Sequence, residues 1–133
     1  MYYLIMTNIE LLKAGRDLLL SLHKSLVDYE RWVYEERHGK ITSGQFLNLL
    51  IEDADLAWLR KCSALIVDID EMFAQKDGFA EEAVAVHLSK LRDLSRMNVD
   101  DESFITRFKQ VLQQDLDAAA KQGELKGLLS GSE

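Results

Sequence analysis

Five side chains, His23, Glu30, Arg60, Asp70 and His87, have the types and the spacing to do chemistry beside an apolar helical seam. Imidazole and carboxylate together suit several divalent metals and can also exchange protons, whereas an arginine offsets a carboxylate taken out of water. On a helix Arg16, His23 and Glu30 recur at seven-residue steps and stand nearly in line along one border of the seam, with Val27 and Tyr34 beside them. Further along the chain, Ser63 and Asp70 fall beside Leu59, Ile66 and Val67. Arg60 lies further round the same flank, while Lys61, Asp68 and Gln75 point to solvent.

A buried carboxylate is costly unless paired, so Asp70 is the acid whose position demands a partner. If the two segments pack together, Glu30, His23, Arg60 and Asp70 form one ionic network, joined by His87 from the middle of a later apolar helix face. The plainest expectation is a structural network that holds helix register. The alternative is a metal or small-ligand pocket built from His23, Glu30, Asp70 and His87 between helices 1, 3 and 4. Acid–base catalysis by Glu30 or Asp70 with His23 ranks below both, because no nucleophile or oxyanion donor is identifiable. No catalytic residue is assigned and no cofactor is predicted; a divalent metal belongs only to the pocket alternative.

Other motifs carry less. Glu35 and His38 form the only Glu-x-x-His, where a di-iron bundle needs two with further glutamates, and His38 in a last helical turn also complements the helix dipole. Ser21 and Lys24 match S-x-x-K without its partner motifs. "GKITSG" lacks the spacing of a phosphate loop, and neither "DADLAWL" nor "DIDEMFA" has the glycine and final glutamate of a calcium loop. Trp32 and Trp58 flank the seams and Tyr29 lies on one, as core or dimer-interface anchors.

The elements that must position these groups are helices. Proline is absent, and Ala, Leu, Glu, Gln, Lys and Arg dominate. Thr7 with Glu10 has the spacing of a capping box, so helix 1 starts there and stops at Gly39, burying Leu12, Gly15, Leu19, Leu22, Leu26, Tyr29 and Val33. Gly15 either weakens this helix or lets a neighbour come close. Thr42 with Gln45 opens a short second helix. Helix 3 begins from an acidic cap at 53–55 and ends at Asp77 and Gly78, with Leu59, Cys62, Ile66, Ile69 and Phe73 on its seam and Trp58, Leu65 and Met72 widening it. Helix 4 covers about 79–96, with Val84, His87, Leu88, Leu91 and Leu94 inward. Helix 5 runs unbroken from the acidic cap at 100–102 to Gly123. The expected architecture is all-α: one domain over 1–133, an up-and-down bundle of four principal helices plus one short one, with 1–6 and 124–133 peripheral or frayed.

Composition narrows the function. At 133 residues and 47% apolar the chain fills one core without disulfides. A net charge of −7 disfavours nucleic acid, whose partners carry basic faces. The one cysteine, Cys62, allows no intrachain disulfide and points to a reducing compartment. "MYYLIM" has neither the basic region nor the apolar length of a secretory signal, and Met6 offers a second start. No window reaches the length of a membrane span. A cytoplasmic protein without membrane or nucleic-acid partners is expected.

Two stretches, "HKSLVDYERWVYE" at 23–35 and "DADLAWLRKCSALIVDIDE" at 53–71, resemble a family of small, uncharacterised, all-helical bacterial proteins with H-K-x-L-x-D-x-E-R-x-x-Y-E and A-W-L-R-x-x-S-x-L-I-V-x-I-D-E patterns. Ala54 and Leu56 stand where that pattern has proline and phenylalanine, which implies a less sharply broken turn before helix 3. The resemblance implies a bacterial source and a helical bundle, and no substrate, cofactor or catalytic residue. The expected function is a non-enzymatic protein-interaction or regulatory module that contacts a protein partner or a second copy of itself through an apolar helix face.

Overall fold

The computed structural model describes residues 6–130, and among them every regular element is a helix. Six α-helices follow in order: α1 (Asn8–His38), α2 (Ser43–Glu52), α3 (Arg60–Phe73), α4 (Glu81–Ser95), α5 (Glu102–Gln114) and α6 (Leu116–Ser130). A 3-10 helix, Ala54–Leu59, runs directly into α3. None of the described helices is long and apolar enough to cross a membrane.

Both capping boxes form. Thr7 Oγ1 accepts from Glu10 N–H at 3.0 Å while Glu10 Oε1 accepts from Thr7 N–H at 3.3 Å. Thr42 and Gln45 repeat the exchange at 3.1 and 2.8 Å, so each helix start has two otherwise orphan donors satisfied. Gly39 ends α1 at φ 87°, a conformation that side chains with a Cβ rarely adopt.

The expected fifth helix is two helices, which raises the count from five to six. Phe104, Phe108 and Val111 of α5 continue in phase into Ala118, Leu125 and Leu129 of α6, and all six are buried. Asp115 occupies the intervening seam position. Its N–H donates to Val111 O at 2.8 Å, closing α5, and its Oδ2 accepts from Ala118 N–H at 3.1 Å, opening α6. A carboxylate on the seam interrupts the helix without any glycine or proline.

The expectation of a frayed 124–133 is corrected over 124–130: this stretch is the second half of α6, with Leu125, Leu128 and Leu129 buried. The apolar phase there outweighs the glycines that suggested fraying. Residues 1–5 and 131–133 lie outside the described residues, while Met6 packs against the core.

The core joins buried side chains from all six helices and the 3-10 helix. Gly15 sits where α1, α4 and α6 converge: a Cβ there would stand 2.5 Å from Leu91 Cδ2 and 3.6 Å from Leu129 Cδ2. Its role is close approach. Contacts rise along α1 as they descend along α6, from Gly15 against Leu129 to Ser25 against Asp117, so these two helices are antiparallel. α1 is antiparallel to α3 by the same criterion, with Arg16 at Asp70 and His23 at the Leu59 backbone.

Length then decides what covers α1. At 1.5 Å per residue α3 spans about 21 Å and α1 about 46 Å. α3 therefore flanks only the first half of α1, and the second half meets the 3-10 helix, α2 and α5. Of α2 only Phe46 is buried, under the Arg31 guanidinium at 5.8 Å from its ring centre. Leu47 and Ile51 on its outer face are 56% and 60% exposed.

Candidate functional site

The five chemistry-bearing residues separate. Glu30 is the buried acid, 6% exposed, and its partner is Arg107 of α5, whose Nη2 donates to Glu30 Oε2 at 2.8 Å. Arg107 is fixed twice more: Nη1 donates to Asp55 O at 3.2 Å, and its guanidinium lies 5.9 Å from the Trp58 ring centre. Asp70, expected to be the enclosed carboxylate, has a side chain 49% exposed and receives Arg16 as a two-pronged fork, Nε at 2.9 Å and Nη2 at 2.8 Å. Arg16 and Glu30 are about 21 Å apart along α1, so the two ion pairs are separate.

The remaining three turn to backbone. Arg60 is exposed and its Nη2 donates to Leu50 O, at 3.2 Å, and to Ile51 O, closing the C-terminal end of α2. His87 Nδ1 lies 2.7 Å from Ala83 O of its own helix. His23 is half-buried by the Leu59 backbone, and loss of water around the ring lowers its pKa. The expected network between helices 1, 3 and 4 is thus overturned, because the seven-residue repeat specifies a face of α1 while α3 covers that face only as far as His23. No group of three His, Cys, Asp or Glu side chains among the described residues is placed to hold a metal ion. Glu35 of the Glu-x-x-His pair ties down the loop after α1, accepting from Ile41 N–H at 3.0 Å, while His38 stacks on Tyr34 at 4.4 Å. Burial pushes the Cys62 thiol up to about 12, so it is a core residue rather than a nucleophile.

Where α1 outruns α3, a groove of about 670 Å³ opens with the Glu30–Arg107 pair in its wall. α1 contributes Tyr29, Tyr34, Arg37 and His38; Asp53 and Asp55 face them from the start of the 3-10 helix; Gln110, Gln113 and Gln114 come from α5. A second depression of about 370 Å³ shares Tyr29 and Gln114 with it and continues past Trp32 to Ser25 and the α5–α6 elbow. From Ser25 to His38 the combined feature follows α1 for about 20 Å.

At its far end Ser25, Asp117 and Lys121 interlock. Ser25 Oγ donates to Asp117 Oδ2 at 2.5 Å and accepts from Lys121 Nζ at 2.9 Å, and Lys121 pairs with Asp117 at 3.1 Å. A serine beside a lysine suggests a nucleophile and its base, but here the lysine donates and the hydroxyl proton goes to a carboxylate. The trio staples α1 to α6, and its hydrogen bonds hold the Asp117 carboxyl below the usual carboxylate range.

Of these groups the sequence picks out Glu30 and misses Arg107. The signal for Arg107 is its place on the α5 seam, among Phe104, Phe108 and Val111, where a long cation needs a buried acid to meet. No family model, curated protein or solved structure matches this chain. The class that fold and groove define, an all-helical protein with a polar groove along its longest helix, therefore rests on geometry. The stretches 23–35 and 53–71 supply Glu30 and Trp58, the acid and the ring that both contact Arg107.

Proposed function

We propose that the protein is a non-enzymatic interaction module whose groove binds an extended segment of a partner protein. The observation that carries this is the shape and chemistry of the groove. Its span of about 20 Å matches roughly six residues of extended chain at about 3.3 Å each. Its three glutamines offer both donors and acceptors, as a peptide backbone requires. The triply held Arg107 keeps one wall in place before any partner arrives. An up-and-down bundle in a reducing cytoplasmic setting belongs to the same reading, supported by the antiparallel pairing of α1 with α3 and α6 and by the single buried cysteine.

The test is selection from a random peptide display library against wild-type protein and a Tyr34→Ala/Gln110→Ala variant, both changes lying on the groove rim and outside the buried core. The reading expects a shared motif on wild type that the variant loses at unchanged melting temperature. No motif, or a motif indifferent to the variant, overturns it. The exposed Leu47 and Ile51 of α2 favour a second reading, self-association through that face. It expects a dimer mass by light scattering that Leu47→Lys returns to the chain mass, and a single-chain mass throughout overturns it.

A further inference from the structure

We propose that the smaller depression, at the α5–α6 elbow, receives a cationic side chain, arginine or lysine, of the segment lying in the groove. This rests on the groove reading and adds to it the residue type and its register. Tyr29 and Trp32 present two rings with centres 6.1 Å apart and planes inclined by 41°, and Trp32 is 58% exposed. Ring faces are electron-rich and attract a guanidinium or ammonium group.

Asp28, Asp115 and Asp117 line the same depression; Lys24 and Lys121, outside the lining, pair with Asp28 and Asp117, which leaves one negative charge in excess. Each is anchored through one oxygen: Asp28 Oδ2 by Lys24 at 2.8 Å, Asp115 Oδ2 by the Ala118 N–H at 3.1 Å, and Asp117 Oδ2 by Ser25 and Lys121. Their Oδ1 atoms accept no hydrogen bond among the described residues. Acceptor atoms with capacity left, beside two rings, suit a flat guanidinium with five donors or an ammonium with three. An acidic residue meets repulsion here, and a neutral amide has no charge to offer the rings or the carboxylates. Arg37 and Arg107 line the larger part of the groove together with Glu30, Asp53 and Asp55, so charge is mixed there, and only at the Trp32 end is the charged lining entirely acidic. The net charge of −7 draws a basic segment in from a distance.

The experiment uses the full chain labelled with nitrogen-15 and pools of capped hexapeptides, random except for arginine, lysine, glutamine or glutamate fixed at the third position, with N-acetylarginine amide as a separate ligand. Trp32 supplies an indole N–H that reports on the depression, and the buried Trp58, against Arg107, supplies one that reports on the larger part of the groove. The expected result is a Trp32 shift with the arginine and lysine pools, which bind about tenfold tighter than the glutamine and glutamate pools. Asp28→Asn with Asp115→Asn, which keeps a good cap at 115, removes that preference at unchanged melting temperature. Equal binding of all pools with shifts at Gln110 and Tyr34 leaves the groove standing and overturns the cationic subsite. No groove shift with any pool overturns the groove reading itself. Binding of acetylarginine amide as tight as the pools makes the depression a small-cation site and overturns the peptide source.

Discussion

At the scale of single residues, Glu30 and Arg107 form an ion pair at 2.8 Å whose acid is buried. The carboxylate is enclosed and the guanidinium is 31% exposed in its side chain, so removing either charge strands a partner that water reaches only in part. Glu30→Gln and Arg107→Gln are each expected to lower stability by about 1–3 kcal/mol in urea titrations, and the double variant by less than their sum. Strict additivity would show that the pair is not coupled. His23 carries a pH signature. Its folded pKa lies below the ordinary 6.5, so as pH falls from 6.5 the unfolded chain takes up the proton first and stability present above that pH is lost. Urea midpoints should therefore decline from about pH 7 to 5, a range above the ordinary carboxylates, and His23→Gln should flatten the decline. An unchanged slope would place the dependence elsewhere. Glu30 is legible in the sequence because helical phase tells which side chains turn inward. Its partner is not, because phase names a face and says nothing of which neighbour covers it; that is also why Asp70 looked enclosed and lies half open.

At the scale of elements, α6 shows most plainly what pattern reading recovers and what it loses. The seam through Phe104, Phe108, Val111, Ala118, Leu125 and Leu129 is visible in the sequence, and so are both capping boxes, since each depends on residues three or four apart. The break at Asp115 is hidden because it needs neither glycine nor proline, only an acid whose carboxylate caps the helix that follows. Glycines near the chain end suggest fraying, but the three leucines among them are buried and decide the structure. Truncation after Gln122 removes Leu125, Leu128 and Leu129, each worth about 2–5 kcal/mol when cut to alanine. The sum rivals the whole stability of a domain, so the truncated chain should lose its cooperative thermal transition by circular dichroism. A retained transition would mean that α6 is dispensable. Gly15→Ala is a finer probe of the α1–α4–α6 junction. The added methyl meets the fully buried Leu91, an overpacking cost of about 1–3 kcal/mol against about 1 kcal/mol gained in helix propensity. A modest net fall in melting temperature is expected, and a rise would show that Leu91 has room to turn.

At the scale of the whole molecule, the groove follows from a mismatch of lengths. One helix of 31 residues is packed against an α3 of 14, and the uncovered half of its flank must be met by shorter pieces that do not close over it. An all-helical fold was readable from the absence of proline and the continuous three-and-four periodicity, whereas a groove is a property of which helix ends before which, and no local pattern records it. The central claim is that this uncovered flank is the working surface. It is tested most directly by photo-crosslinking a random hexapeptide pool that carries a benzophenone group to the full-length protein and locating the adducts by mass spectrometry. The account predicts adducts concentrated on α1 from Tyr29 to His38 and on α5 from Gln110 to Gln114. Adducts concentrated instead on the outer faces of α2 and α3, at Leu47, Ile51 and Val67, would contradict it.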